Sequence, residues 1–152
     1  MAKPLVAYRV HGKNDGAMAS FDPAKLGREV TRARWRFEYA RRILRGSGRS
    51  LPEQAFNRSM TMLAYRLASV RLAPERHPLP GDSTAKVLRD FLTAFFVPQG
   101  LAPAGRVMLL LWAGGVAALP RSSAEVLVRW RFASTSRPAG LRGLLRTFGI
   151  GR

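Results

Sequence analysis

Apolar side chains in the first third of the chain recur with the period of an amphipathic helix. They run from Leu26 to Leu44 in alternating steps of four and three residues, which places them on one face. Asp22 followed by Pro23 is a favourable helix start, and Gly46 is a favourable helix end. The pattern therefore predicts one helix, with a buried apolar face, between these two ends.

A second stripe of the same period extends from Phe56 to Val70. Ser50 and Glu53 stand before it at the spacing of a capping box, so one helix is expected to begin there. Only a short, glycine-rich connection separates the two stripes. Residues 22–72 are therefore predicted to form a basic, antiparallel helical hairpin.

The chain beyond the hairpin begins with a Pro-rich segment, residues 73–83, which we interpret as a linker. Residues 84–120 follow as an apolar helical region that contains two helices. The first is expected to begin at a cap on Ser83 and to end before Pro98, and the second to run from about Arg106 to Leu119. Together with the hairpin, this region predicts an all-α fold.

The two ends of the chain have less regular patterns. Residues 1–21 are expected to form an extended N-terminal arm, and residues 121–152 a basic C-terminal tail. Within the tail, the alternation from Glu125 to Phe132 is typical of a strand, whereas Ser122 with Glu125 is typical of a capping box. A helix is the favoured interpretation here, and the strand stays open as the alternative.

The apolar region is a candidate membrane segment. As a helix, residues 101–120 would be about 30 Å long, which matches a bilayer core, but the uncharged part, residues 107–119, would reach only about 20 Å. The region either enters a membrane, as one helix or as a hairpin, or is buried in protein, and membrane entry is favoured. Small residues that allow close helix packing in both cases are Ala113, Gly114, Ala117 and Ala118.

The charge of the chain indicates the kind of partner. There are 26 Lys and Arg residues against 9 Asp and Glu, which gives a net charge of +17. Self-repulsion of this size disfavours the compact state unless an anionic partner neutralises it, such as nucleic acid phosphate or anionic lipid. Trp35 and Tyr39 lie among the Arg residues of the first helix, where they could stack on nucleic acid bases. The predicted contacts with lipid or phosphate are Arg28, Arg32, Arg36, Arg41, Arg45, Arg142 and Arg146.

The sequence contains no pattern typical of catalysis or metal binding. His11 and His77 are far apart, the carboxylates are scattered, and there is no cysteine to form a thiolate metal site. We therefore expect neither enzymatic activity nor a bound cofactor or metal.

Two hypotheses of function follow from the charge and the apolar region. The leading one is a non-catalytic accessory subunit of a membrane-bound energy-converting complex, of the respiratory or ATP synthase type, with other subunits and anionic lipid as partners. Its expected location is the mitochondrial inner membrane, because a secretory signal and cysteine are both absent. The alternative is a basic structural subunit of a ribosome or other ribonucleoprotein, which binds RNA phosphate.

Overall fold

The computed structural model describes residues 21–97 and 100–133, and all regular structure in these ranges is helical. The predicted all-α class is therefore confirmed for this part of the chain. The helices are α1 (Pro23–Gly46), α2 (Gln54–Asn57), α3 (Met60–Leu72), α4 (Thr84–Phe95), α5 (Pro103–Ala118) and α6 (Arg121–Phe132), with a 3₁₀ turn at Pro74–Arg76. The predicted N-terminal arm, apart from Phe21, and the predicted tail beyond Ala133 lie outside the described residues.

The first helix, α1, forms as its sequence predicts. The side chain of Asp22 accepts a hydrogen bond from the backbone N–H of Ala24 at 2.9 Å and so caps the helix. Pro23 occupies the first turn, where no backbone N–H is needed. Leu26 and Val30 have no exposed area, so the first half of α1 is held firmly against the core.

The prediction of one uninterrupted second helix is wrong, because the helix is divided into α2 and α3. Ser59 adopts an extended backbone after α2, and its hydroxyl caps α3 by accepting a hydrogen bond from the N–H of Met62 at 3.3 Å. The expected capping box does not start the helix. The carboxylate of Glu53 instead accepts hydrogen bonds from Arg34 and Arg41 of α1. It is therefore engaged in a contact between helices rather than in a helix cap.

Helices α1 and α3 are antiparallel neighbours. The start of α1 lies beside the end of α3, where Gly27 approaches Ser69. Further along α1, the ring of Phe37 packs on that of Phe56 in α2, with centroids 5.4 Å apart. Residues 22–72 thus form a helical hairpin, with α2 inserted in its connection.

Helix α3 lies at the centre of the core. Most of its side chains are apolar or small, and they are buried around the whole helix, as expected for a helix surrounded by others. It contacts α1, α4, α5 and α6. The core residues with no exposed area include Leu26, Leu63, Leu67, Val87, Phe91, Val116 and Val128.

The Pro-rich segment predicted as a linker packs closely against the hairpin. A Cβ atom placed on Gly27 would lie 2.8 Å from the carbonyl oxygen of Arg76, so α1 nearly touches the 3₁₀ turn. On the other side, Arg121 of α6 donates a hydrogen bond to the carbonyl oxygen of Leu72 at 2.7 Å. The helices before and after this segment consequently share one core.

Helices α4 and α5 occupy the predicted apolar region. Ser83 caps α4, as predicted, by accepting a hydrogen bond from the N–H of Lys86 at 3.1 Å. Helix α5 begins at Pro103, slightly before the expected Arg106, because proline is favoured in a first turn. Within residues 21–97 and 100–133, no helix combines the length and the apolar character needed to cross a membrane. The transmembrane part of the prediction therefore has no support.

The segment from Arg121 to Phe132 is helical, as the favoured interpretation expected, and the strand alternative is wrong. Its start is not the expected capping box, since the helix begins at Arg121, directly after Pro120, without a side-chain hydrogen bond at its cap. The carboxylate of Glu125 pairs with Arg129 at 2.8 Å. The indole N–H of Trp112 donates a hydrogen bond to the carbonyl oxygen of Leu127 at 3.0 Å, which ties α5 to α6.

Candidate nucleic-acid interface

The side of α1 that points away from the core is lined by Arg and aromatic residues. With 3.6 residues per turn, this side lies opposite Leu26 and Val30, and every residue on it is exposed. We call it the outward face of α1. It consists of Arg28, Thr31, Arg32, Trp35, Arg36, Tyr39, Arg42 and Ile43.

Two aromatic side chains lie in the middle of the outward face. Trp35 is 68 % exposed and Tyr39 is 55 % exposed. Their ring centroids are 5.8 Å apart and their planes differ by 14°, so the two rings are nearly parallel. Because covering apolar surface is favourable in water, a ligand with flat apolar surfaces is well suited to this pair.

Within the described ranges, few carboxylates lie near the Arg side chains around these rings. Arg28 reaches Asp22 at 3.5 Å, and Arg32 reaches Glu29 at 2.7 Å, both at the edge of the face. Arg36 and Arg42 form no ion pair with a carboxylate of the described residues. Exposed ion pairs contribute at most about 1 kcal/mol, so an incoming phosphate can compete with them.

An open depression adjoins Trp35 on the outward face. It has a volume of about 380 Å³ and is lined by Thr31, Arg32, Trp35 and Arg36. Two guanidinium groups and one indole ring therefore border the same space. This arrangement combines groups for an anion with a surface for an aromatic ring.

The other predicted contact residues differ in their surroundings. Arg41 is half-buried and faces the inner side of the hairpin, where it pairs with Glu53 at 3.1 Å and with Glu38 at 3.9 Å. It is thus engaged within the protein. Arg45 is exposed near the end of α1. Arg142 and Arg146 lie outside the described residues.

The four small residues predicted to pack helices together lie on different sides of α5. Ala113 is fully buried in the core, and Ala117 is partly buried. Ala118 is exposed, and a Cβ atom placed on Gly114 would meet nothing within 4 Å. Two of the four residues therefore lie on the open side of the helix.

The open side of α5 is apolar along its length. We call it the outer face of α5, and it consists of Ala104, Val107, Leu111, Gly114 and Ala118. Leu111 is 67 % exposed, whereas the core leucines of this protein are almost fully buried. The face carries no charged residue.

A cluster of buried charges lies between α3 and the start of α4. The guanidinium of Arg66 donates two hydrogen bonds to the carboxylate of Asp82, at 2.6 and 2.7 Å, and one to Oδ1 of Asn57 at 2.6 Å. Lys86 donates a further hydrogen bond to Asp82 at 3.0 Å. Burial alone would raise the pKa of Asp82, but hydrogen bonds from His77, Arg66 and Lys86 outweigh it and hold the pKa well below its ordinary value. We call this group the Arg66–Asp82 cluster.

The Arg66–Asp82 cluster also brings a serine and a histidine together. Nδ1 of His77 lies 3.0 Å from Oγ of Ser69, and Nε2 lies 3.1 Å from Oδ2 of Asp82. These are the residue types of a nucleophilic triad. Ser69 has no exposed area, however, and α1 covers it at Gly27, so a substrate carbonyl has no path to the hydroxyl. The contacts therefore tie the Pro-rich segment to α3.

Sequence reasoning missed the Arg66–Asp82 cluster. Its members come together only because the chain reverses direction after Leu72, and no periodic pattern reports such a reversal. One available signal was Arg66 itself, a charged residue within a stripe of buried apolar residues, since a buried charge requires partners. Among the described residues, no group of three or more His, Asp or Glu side chains is placed to hold a metal ion.

No protein-family model, no characterised protein and no solved structure matches this chain. The conclusion about function consequently depends on the geometry of the outward face of α1.

Proposed function

We propose that the protein is a non-catalytic structural subunit of a ribonucleoprotein assembly, and that it binds RNA phosphates through the outward face of α1. The observation that carries this proposal is the presence of four Arg residues on that face, with carboxylates only at its edge. The Arg residues extend from Arg28 to Arg42, about 21 Å along the helix. That length matches about six nucleotides of a stacked strand, at about 3.4 Å for each phosphate.

The chemistry of arginine supports phosphate as the ligand. A guanidinium group donates two parallel hydrogen bonds to two oxygen atoms and remains charged at every physiological pH. The net charge of +17 attracts a polyanion over a longer range. Leu26 and Val30 hold the first half of α1 against the core, and Phe37 packs on Phe56 further along. The face is therefore in place before a ligand arrives, which reduces the entropy lost on binding.

The proposal is tested by the salt dependence of RNA binding. The full chain would be titrated against a fluorescein-labelled single-stranded RNA of about twelve nucleotides, and anisotropy recorded at several NaCl concentrations. In a triple variant with Arg28→Gln, Arg36→Gln and Arg42→Gln, we expect weaker binding. The slope of log affinity against log salt should become shallower by about 2, since each single-strand phosphate contact contributes about 0.7.

A matched control changes the net charge equally at other places. The triple variant Arg58→Gln, Arg76→Gln and Arg89→Gln replaces three exposed Arg residues that lie outside α1. It should keep a slope close to that of the unmodified protein. An equal loss of affinity in both triple variants would contradict the proposal, because total charge alone would then explain binding.

A second candidate function is the accessory subunit of a membrane-bound energy-converting complex at the mitochondrial inner membrane. The outer face of α5 favours it, because an uncharged, exposed helix face is readily covered by lipid or by an apolar subunit surface. Extraction of native membranes with high salt and then with alkaline carbonate tests this candidate. Retention in the pellet through both steps supports it, whereas release by salt alone contradicts it.

A matched pair of variants sharpens that test. Leu111→Gln places a polar side chain on the outer face of α5, and Ala85→Gln places one at an exposed position of α4. Only Leu111→Gln should increase release from the membrane. Equal release of both variants would show that the outer face of α5 does not hold the protein there.

A further inference from the structure

We infer that the outward face of α1 recognises unpaired nucleotides, with Trp35 and Tyr39 as a platform on which bases stack. The ligand class is therefore single-stranded RNA rather than duplex RNA. The inference rests on the proposed function, which supplies the phosphate contacts. It adds a role in binding for the two aromatic side chains.

The geometry of the two rings suits stacking. They are nearly parallel, with centroids 5.8 Å apart, and both are more than half exposed. Every base has a flat aromatic face, so stacking on such rings requires no particular sequence. A base can therefore stack on whichever side of either ring is open to solvent.

The Arg side chains of the outward face lie where the phosphate backbone of a bound single strand would pass. Arg32 and Arg36 border the same depression as Trp35, and Arg28 and Arg42 extend the positive charge to both ends of the face. A nucleotide with its base on the indole ring thus has guanidinium groups next to it for its phosphate. Bases and phosphates are bound by neighbouring side chains of one helix.

Duplex RNA cannot use the platform in this way. Its bases are stacked inside the helix, its deep major groove is too narrow for side chains, and its shallow minor groove presents base edges and 2′-hydroxyl groups. The Arg residues could still contact its phosphates, but the two rings would stay uncovered. Single strands consequently gain a stacking contribution that duplexes do not.

The composition of the outward face favours RNA over a lipid surface. A helix that lies in a membrane interface has a broad, continuous apolar face on one side and its charges on the other. Here Trp35, Tyr39 and Ile43 form a narrow row with Arg residues on both sides of it. Burying that row in acyl chains would carry Arg side chains with it, at a high cost.

The experiment compares two probes that carry the same number of phosphates. One is a single-stranded oligoadenylate, the other a blunt A-form RNA duplex, and both are titrated with the full chain. We expect tighter binding of the single strand. Trp35→Leu should weaken single-strand binding by about 5- to 150-fold, the loss of one base stack, and leave duplex binding and the salt slope unchanged. Tyr39→Leu should act in the same direction.

A conservative variant separates stacking from simple apolar contact. Trp35→Phe keeps an aromatic face and should keep most of the affinity for the single strand, whereas Trp35→Leu keeps only apolar surface. Because Trp35 is exposed, both variants should retain the fold, and circular dichroism checks this. Vesicles that contain anionic lipid provide a further probe.

Several results would overturn the inference. If Trp35→Leu binds the single strand like the unmodified protein, or if it weakens single strand and duplex equally, the rings do not stack on bases. If Trp35→Leu changes binding to anionic vesicles and not to RNA, the face belongs to a lipid ligand. In the first two cases the Arg28, Arg36 and Arg42 triple variant still reports on the proposed function independently.

Discussion

Asp82 is the residue at which the Arg66–Asp82 cluster is held together. Its carboxylate, 2 % exposed, accepts hydrogen bonds from Arg66, His77 and Lys86. Removing one member of a buried ion pair is strongly destabilising, because the other charge then stays buried without its partner. Asp82 therefore controls how firmly the Pro-rich segment is held against α3.

The stability of the protein should depend on the ionisation of Asp82. Since its pKa is lower in the folded than in the unfolded chain, the ionised form stabilises the fold. This stabilisation is complete above the unfolded pKa, near 3.8, and is lost as the pH falls through the folded pKa. Urea denaturation should give a free energy of unfolding that decreases from about pH 5 downwards.

Asp82→Asn should remove this part of the pH dependence. At neutral pH it should also lower the free energy of unfolding by about 3–5 kcal/mol, because Arg66 loses its closer anionic partner and keeps only Asp90, at 3.4 Å. Glu125→Gln is the control, since it disrupts an exposed ion pair with Arg129 and should cost less than about 1 kcal/mol. Similar losses in the two variants would mean that the Arg66–Asp82 cluster contributes no more than a surface pair.

At the scale of secondary structure elements, the contact between α1 and the 3₁₀ turn is set by one glycine. Gly27→Ala would bring a Cβ atom to 2.8 Å from a backbone oxygen of Arg76, so the helix must shift. We expect the free energy of unfolding to fall by about 1–3 kcal/mol, as in other overpacked sites. Urea denaturation measures this change.

Gly114→Ala is the matched substitution. It lies inside α5 with nothing within 4 Å of the added carbon, so it should raise the free energy of unfolding by about 0.5–1 kcal/mol. Both variants restrict the unfolded chain equally, and their difference therefore isolates the steric contact. If Gly27→Ala were also stabilising, α1 would not be packed as closely as the structure describes.

Elements with local signals could be predicted from the sequence, and elements set by distant contacts could not. Asp22 and Ser83 cap helices through hydrogen bonds to residues nearby in the chain, and both helix starts were predicted correctly. The capping box expected at Ser50 and Glu53 does not form, because Arg34 and Arg41 of another helix engage the Glu53 carboxylate. A local capping pattern is overridden when a tertiary ion pair uses the same carboxylate.

At the scale of the whole molecule, the net charge of +17 should weaken the fold at low ionic strength. Raising NaCl from about 0.01 M to 0.1 M shortens the screening distance from about 30 Å to about 10 Å and reduces repulsion. We expect the melting temperature to rise, by about 2–4 °C for each kcal/mol gained. Differential scanning calorimetry measures the change.

A second monovalent salt, KCl, at equal ionic strength serves as the control and should have the same effect. The exposed ion pairs of the described residues act in the opposite direction, but each contributes at most about 1 kcal/mol. A melting temperature that falls with salt would show that ion pairs outweigh repulsion.

The candidate interface could be predicted in part. The helical period alone places Arg28, Arg32 and Arg36 along one edge, and it places Trp35 and Tyr39 close to them. It does not reveal that Arg41, also on α1, turns inward to Glu53, because that pairing depends on where α2 lies. Charge pattern identifies the face, and tertiary structure decides which cations remain on it.

The outward face of α1 and the core beneath it share a helix but no side chains. Substitutions of exposed residues away from special contacts usually change the free energy of unfolding by less than about 0.5 kcal/mol. The residues of this face can therefore be replaced with little effect on the fold. Over evolutionary time, the ligand preference of such a protein can drift while its scaffold persists. For a protein engineer, the same separation makes α1 a surface on which new specificities can be selected.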